Sequence, residues 1–271
     1  MAQPVWLVKL IELGFPQRFL LARLTRIRGI GKILDKWLFD GDDIMYLPRD
    51  RVVAVGKDVD QTRQMVLPSQ VVHYFIDKAN YHWIMNFCIC RESSHCRDYP
   101  QNLGCLFLGK AVLGINPKLG RLVTRGQAHE HVRKCRRAGL FHLIGRNKLD
   151  TVWLGVKPGD QLLTICNCCP CCCLWRFIPQ IEPGIANKVT RMPGVTVSVT
   201  DKCLGCATCS SGACFVDNIT QVDGHAVIGD RCLGCGNCLE TCPNGAIKLE
   251  IKDDSYIEKS IERLDKLVKV D

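Results

Sequence analysis

Two runs of closely spaced cysteines near the carboxyl end constrain this chain more than any other feature. Each run places three cysteines at C-x2-C-x2-C spacing and adds a fourth shortly afterwards. The first run comprises Cys203, Cys206, Cys209 and Cys214, and the second comprises Cys232, Cys235, Cys238 and Cys242. Neighbouring thiols at such intervals are typical of metal binding, whereas disulfide frameworks belong mostly to short secreted chains.

The spacing also predicts how the thiols are shared. Three thiolates two residues apart can wrap one face of a [4Fe-4S] cubane, while the fourth lies too far along the loop and crosses to the other cluster. Small residues between them let backbone N–H groups approach the sulfides: Gly205, Ala207, Gly234 and Gly236. We therefore expect one cluster on Cys203, Cys206, Cys209 and Cys242. We expect the other on Cys232, Cys235, Cys238 and Cys214.

Residues of about 195–250 resemble bacterial-type two-cluster 2[4Fe-4S] ferredoxins, because the second run ends in the Cys242-Pro243 pair of the C-x2-C-x2-C-x3-C-P pattern. The resemblance implies low-potential electron transfer through two clusters. The first run departs from the pattern, since it holds one extra residue within 210–213 and has Phe215 where the family usually has proline. Four-cysteine zinc sites are the alternative, but they seldom use doubled runs with crossed fourth ligands.

The remaining eleven of the nineteen cysteines lie in the first two-thirds of the chain. We expect Cys135, at an apolar position of a helix, to be plain core. The other ten are candidate metal ligands: Cys88, Cys90, Cys96, Cys105, Cys166, Cys168, Cys169, Cys171, Cys172 and Cys173. Six of them fall within eight residues, a density that core packing does not require. If adjacent strands bring the cysteines of 88–105 and those of 166–173 to one sheet edge, these thiols hold a third iron–sulfur cluster or more. A zinc site or a redox-active disulfide is the alternative.

This first part of the chain also resembles the region that precedes the ferredoxin module in uncharacterised ferredoxin-fused proteins of strict anaerobes. That resemblance names no substrate. Together the patterns predict an α+β protein, with a mixed α/β cysteine-rich domain ahead of a small ferredoxin-like domain. We place a basic amphipathic segment at 1–50, the cysteine-rich domain at 51–178, a linker at 179–196, the ferredoxin domain at 197–252 and a final helix at 253–271.

Periodicity and capping residues predict several elements within these domains. Ser69 begins a helix that extends to about Lys78, and strand-like residues follow over 83–90. Thr124 and Gln127 form a capping box for a helix that ends at Ala138, where Gly139 closes it. Strands are expected over 140–144 and 161–165, and Ile257 opens an amphipathic helix at the carboxyl end.

Charge and apolar pattern suggest where partners bind. Residues 197–271 carry a net charge of −4 and residues 1–196 a net charge of +13, so donor and acceptor redox proteins would meet different surfaces. A stripe in the first segment, formed by Leu20, Leu24, Ile27, Leu34 and Leu38, fits either an anionic membrane surface or, more commonly, the protein's own core. The basic helix around Arg133 lacks an aromatic platform, so nucleic acid is not an expected partner.

These observations favour an electron carrier over a stand-alone enzyme, because no acid–base or nucleophile constellation is present. The alternative is a reductase whose amino-terminal cluster keeps an open iron position beside Arg91, His95 or Arg97. No signal-peptide layout and no long apolar run occur in the sequence. The expected location is therefore a reducing cytoplasm of an anaerobe, with peripheral membrane contact through the first segment as an option.

Overall fold

The computed structural model describes residues 2–50, 54–55, 67–253 and 255–271. In chain order the helices α1 to α10 are Val5–Gly14, Arg18–Leu24, Ile30–Leu34, Ser69–Lys78, Ile89–Ser93, Arg125–Arg137, Lys148–Leu154, Pro183–Ala186, Asn237–Thr241 and Tyr256–Asp265. The strands β1 to β12 are Asp43–Tyr46, Ala54–Val55, His82–Met85, Leu106–Leu108, Gly120–Val123, Phe141–Arg146, Leu163–Cys168, Val189–Arg191, Val195–Val199, Ile219–Val222, His225–Ile228 and Ile247–Ile251. These elements form the predicted α+β fold.

A seven-stranded sheet organises the larger part of the molecule, in the order β5-β3-β4-β7-β6-β1-β8. Its neighbouring strands are antiparallel except for β1 and β8, which run parallel. The β6–β7 pair is central to the function, because its register sets Leu143 opposite Cys166 and Phe141 opposite Cys168.

Alternation along these strands gives the sheet two different faces. Leu163 and Ile165 of β7 point into a core that includes α4, α6 and α10. Cys166 and Cys168 occupy the alternate positions and pack with Tyr46 on the opposite face, which we call the cysteine face. One strand therefore supplies apolar contacts to one layer and thiols to the other.

The ferredoxin-like part is smaller. Strand β9 pairs antiparallel with β12, and β2 adds to β12 in parallel orientation. The β10–β11 hairpin stands beside them as a separate two-stranded sheet. Val195 of β9 and Ile251 of β12 belong to the same hydrophobic core as α4 and α10, so this part is packed against the large sheet rather than tethered to it.

Several sequence expectations are confirmed. Helix α4 spans Ser69–Lys78 as predicted, and α6 begins with the Thr124–Gln127 capping box. Gly139 follows α6 with a φ of 76°, the left-handed conformation that closes helices. The amphipathic helix at the carboxyl end is α10, whose Leu264 is fully buried.

Other expectations were wrong. The strand expected over 83–90 stops at Met85, and Cys90 lies in helix α5, whose backbone begins at Ile89. The predicted linker 179–196 contains α8 and β8, and β8 pairs with β1 of the large sheet. Proline and glycine here mark tight turns between elements, not a flexible connection. The predicted domain boundary at 50 borders residues 51–53 and 56–66, which lie outside the described residues.

The apolar stripe of the first segment also differs from the commoner expectation of core packing. Leu20, Leu24 and Ile27 are exposed, while Ala22 and Phe39 face inward. Among the described residues, none of the helices is both long and apolar enough to cross a bilayer.

Helix α10 makes the carboxyl end part of the core, and this generates a stability prediction. Leu264→Ala removes a fully buried side chain and should lower the free energy of unfolding by about 2–5 kcal/mol. Leu122→Ala, at an exposed position of β5, is the control and should change it by less than about 0.5 kcal/mol. Anaerobic thermal denaturation followed by circular dichroism measures both; equal effects would contradict the packing described.

Candidate metal centres

The two carboxyl-terminal cysteine runs form tight loops that depend on left-handed backbone. Gly205, Gly234 and Gly236 have φ values of 66°, 64° and 81°, and Ala207 has 60°. A Cβ atom at position 205 would lie only 2.1 Å from the carbonyl oxygen of Gly224, so only glycine fits there. The small residues identified in the sequence are thus required by the bends of the loops.

Each loop surrounds its own small cavity, and the thiols are grouped in crossed sets. One cavity is lined by Cys203, Cys206, Cys209 and Cys242. The other is lined by Cys214, Cys232, Cys235 and Cys238. The structure therefore brings together the two groups of four that the spacing assigns to two clusters, each with three thiols from one run and one from the other.

Backbone N–H groups point at the sulfurs of both sets. The amides of Ala226, Asn218 and Ala246 donate to the Sγ atoms of Cys203, Cys214 and Cys242 at 3.4, 3.3 and 3.3 Å. Such bonds stabilise negative charge on the sulfur and tune a bound iron–sulfur cluster. The environment fits thiolate ligands.

Burial makes a compensating cation necessary. Burial raises the pKa of Cys235 to about 12, and it also raises the pKa values of Cys232, Cys238 and Cys209. A metal ion bound here would supply the positive charge that holds these thiols as thiolates. Cys206 differs, because it is exposed and a hydrogen bond with the Thr208 hydroxyl lowers the pKa of its thiol.

The two departures of the first run are explained by the packing. The extra residue is absorbed in a widened turn over Cys209–Ala213, in which the side-chain amide of Asn237 donates to the Ala213 carbonyl oxygen at 2.7 Å. Phe215 borders the cavity of the Cys214 set and is buried against Tyr46, with 5.3 Å between ring centroids, and against Phe141, at 5.5 Å. Phe215, at the position usually held by proline, therefore packs the module against Tyr46 and Phe141 of the large sheet.

The ten amino-terminal candidate ligands form two groups that meet at Cys169. Besides Cys169, six cysteines line one apolar cavity of about 470 Å³, which also borders α2 and the chain on both sides of it: Cys88, Cys90, Cys105, Cys166, Cys168 and Cys173. The Sγ atoms of Cys105 and Cys166 are 3.7 Å apart, and those of Cys168 and Cys173 are 3.4 Å apart. The two sequence groups therefore meet as expected, although Cys88 and Cys90 reach the site from a loop and a helix, not from a strand.

The other four form a compact group next to this cavity, whose wall they reach through Cys169: Cys96, Cys169, Cys171 and Cys172. Their Sγ atoms all lie within 4.8 Å of one another. Cys135 packs next to this group on α6 and is fully buried, in agreement with its expected core position.

Arg91 separates the two groups, and its role could not be read from the sequence. Its guanidinium is fully buried and donates to the carbonyl oxygens of Pro100 and Asn167 at 2.8 and 2.7 Å, and to that of Leu103. Burial would lower the pKa of Arg91, but the thiolates of Cys88 and Cys169 outweigh it and raise that pKa. The cation is therefore placed to balance thiolate charge in both groups.

Comparison with known proteins agrees with the carboxyl-terminal site. Residues 225–248 match the family described as "4Fe-4S binding domain", and this range contains Cys232, Cys235, Cys238 and Cys242. Neither the curated proteins nor the solved structures contain a match. The chain is an iron–sulfur protein with a ferredoxin-like carboxyl-terminal region.

The crossed grouping predicts the effect of removing one thiol. Cys242→Ser should abolish the cluster that Cys203, Cys206 and Cys209 share with it, and leave the set around Cys232 intact. Chemical analysis of anaerobically purified protein should then find about four iron atoms fewer per chain. Cys135→Ser, which changes a buried cysteine outside every group, is the control and should keep full iron content. Loss of eight irons or of none in Cys242→Ser would contradict the assignment.

Proposed function

We propose that this protein carries electrons between redox partners, using the ferredoxin-like module and the six-cysteine site of the cysteine face as linked centres. Iron–sulfur clusters, when bound, supply one-electron chemistry at such centres. The chain's own residues fix the separation of the centres, exclude water between them and leave one end accessible.

The observation that carries the proposal is a continuous packed route between the two sites. Phe215 follows Cys214 directly, and its ring lies 5.3 Å from that of Tyr46, centroid to centroid, at an interplanar angle of 34°. The hydroxyl of Tyr46 lies 3.8 Å from the Sγ of Cys173, a lining residue of the six-cysteine cavity. Tyr46 and Phe215 are both buried, so two aromatic rings fill the space between a ferredoxin thiol and an amino-terminal thiol.

Charged contacts hold this route in place. Arg49 forms an ion pair with Glu240 of α9 and lies over the ring of Phe141, 5.6 Å from its centroid. Because Arg49 is itself buried, this pair is less screened by solvent than a surface pair. The module is thereby fixed against the large sheet by ionic and aromatic contacts together.

The outer end of the module suits a donor protein. Cys206 is exposed, and the neighbouring Leu204 is exposed as well. The set that contains Cys206 therefore reaches the surface, whereas Cys235 and Cys238 face the interior. The net charge of −4 over 197–271 favours a donor with a basic docking surface.

The geometry gives less support to a reductase with its own substrate. That alternative requires Arg91, His95 or Arg97 beside an open iron position. Arg91 gives its N–H groups to three backbone carbonyls, and His95 and Arg97 lie on the surface. The walls of the six-cysteine cavity are mainly thiols and apolar side chains.

Phe215→Leu tests the route, because it removes the ring that links Cys214 to Tyr46 but keeps an apolar side chain. After reduction of the module under anaerobic conditions, freeze-quench EPR should detect slower reduction of the amino-terminal centre in this variant. Iron and sulfide content should stay unchanged. Phe107→Leu, an equally buried change away from the route, is the control and should leave the rate as in the unaltered protein.

Two results would overturn the proposal. One is an amino-terminal region that contains no redox-active metal in protein isolated without oxygen. The other is an amino-terminal centre that is reduced at an unchanged rate when Cys235→Ser removes the inner cluster of the module.

A further inference from the structure

The ten amino-terminal candidate ligands do not share one kind of site. We propose that Cys96, Cys169, Cys171 and Cys172 bind a single divalent metal ion, zinc in type, as a centre separate from the six-cysteine site. The proposal goes beyond electron transfer, since such an ion is structural.

The first argument is the distance between sulfurs. A tetrahedral ion with metal–sulfur bonds of about 2.3 Å holds its four sulfurs roughly 3.8 Å apart. In this group the Sγ of Cys171 lies 3.6 Å from that of Cys96 and 3.6 Å from that of Cys172. A cubane binds each thiolate to a different iron and so keeps its four thiolates farther apart, whereas all four sulfurs of this group lie within 4.8 Å of one another.

The same structure provides an internal comparison. The crossed sets of the ferredoxin module surround cavities, and their sulfurs do not form a group this compact. Within the described ranges, the set around Cys96 is the one place where at least three potential metal ligands converge within 4.8 Å. The spacing therefore separates this group from thiols arranged for cubanes.

Local backbone geometry agrees with a single ion. Cys169 and Cys172 form a C-x2-C pair, and the N–H of Cys172 donates to the Sγ of Cys169 at 3.4 Å. Zinc sites commonly take two ligands from such a pair. Cys96 comes from the loop after α5, so the ion would tie that loop to the chain that follows β7. Structural zinc sites of this closed type contribute directly to folding.

Metal and sulfide counts test the assignment on the full chain purified without oxygen. Cys96→Ser should lose about one zinc per chain and keep its acid-labile sulfide and its iron–sulfur absorption. Cys135→Ser, the buried neighbour outside the group, should keep the zinc. If the ion in the protein as isolated is iron, one iron should be lost without sulfide, which supports the same single-ion site.

Native mass spectrometry of the unaltered protein provides a second measurement that needs no variant. It should show one metal ion beyond the masses of whole iron–sulfur clusters. Loss of about four irons together with sulfide in Cys96→Ser, or a mass explained by clusters alone, would overturn the single-ion site. Either result would leave the electron-transfer proposal standing, since the six-cysteine site would remain.

A different observation supports a second, independent inference, because residues 5–39 turn many apolar side chains outward. Leu13, Trp37 and Trp6 expose 79, 71 and 67% of their surface. Seven more large apolar residues of this segment are exposed: Leu10, Leu20, Leu21, Leu24, Ile27, Ile30 and Ile33. A group of this size usually marks a binding surface.

We infer that this surface lies on a membrane rich in anionic lipid. Exposed Arg28, Lys32 and Lys36 stand among the apolar residues, and residues 2–39 carry seven Lys and Arg against two Asp and Glu. Tryptophan and basic side chains around an apolar surface are typical of helices that lie in the lipid interface. The surface covers the outside of the segment whose Phe15 and Ala22 line the six-cysteine cavity.

Vesicle sedimentation tests this inference. The full protein should pellet with vesicles of phosphatidylglycerol and phosphatidylcholine, and less with phosphatidylcholine alone or at high salt. The double change Leu13→Gln and Trp37→Gln should weaken binding at least about tenfold. Leu122→Gln, on exposed β5, is the control. The membrane assignment would be overturned if the double change left vesicle binding unaffected. It would also be overturned if the protein formed a dimer through this surface in the absence of vesicles.

Discussion

Thiolate charge beneath a sheet is the constraint on which the rest of this structure depends. Burial raises the pKa of some of these thiols, to about 12 at Cys235 in the ferredoxin module. Metal ions, backbone N–H groups and the buried Arg91 are the sources of compensating charge. The elements that surround the thiols therefore have two tasks: they exclude water, and they bring donors and a cation within reach.

Strand β7 meets this constraint through simple alternation. Leu163 and Ile165 fill the helix-covered core, while Cys166 and Cys168 line the six-cysteine cavity. The same face receives Tyr46 from β1 and Phe215 from the ferredoxin module. The proposed amino-terminal centre and the attachment of the two parts thus share one side of one sheet, so a change in one would affect the other.

Local patterns were readable from the sequence, and long-range contacts were not. Cysteine spacing predicted the crossed groups around Cys214 and Cys242, and the capping box at Thr124 predicted where α6 begins. Tyr46 escaped notice, because its contacts with Cys173 and Phe215 join residues more than one hundred positions apart. Arg91 was considered only as a substrate-side residue, and its backbone partners could not be foreseen. The turn-rich stretch 179–196 was misjudged for a related reason: β8 exists through its pairing with β1.

Unequal exposure of the two ferredoxin thiol sets has a consequence for damage by air. Oxygen and chelators reach a solvent-facing sulfur such as that of Cys206 before they reach Cys235 behind Phe215 and Leu233. In an oxidising sample, the cluster on the exposed thiol set should hence be lost before the cluster on the buried set. The set that contains Cys206 would then react with the oxidant first, and partially bleached preparations would retain the cluster of the set that contains Cys235.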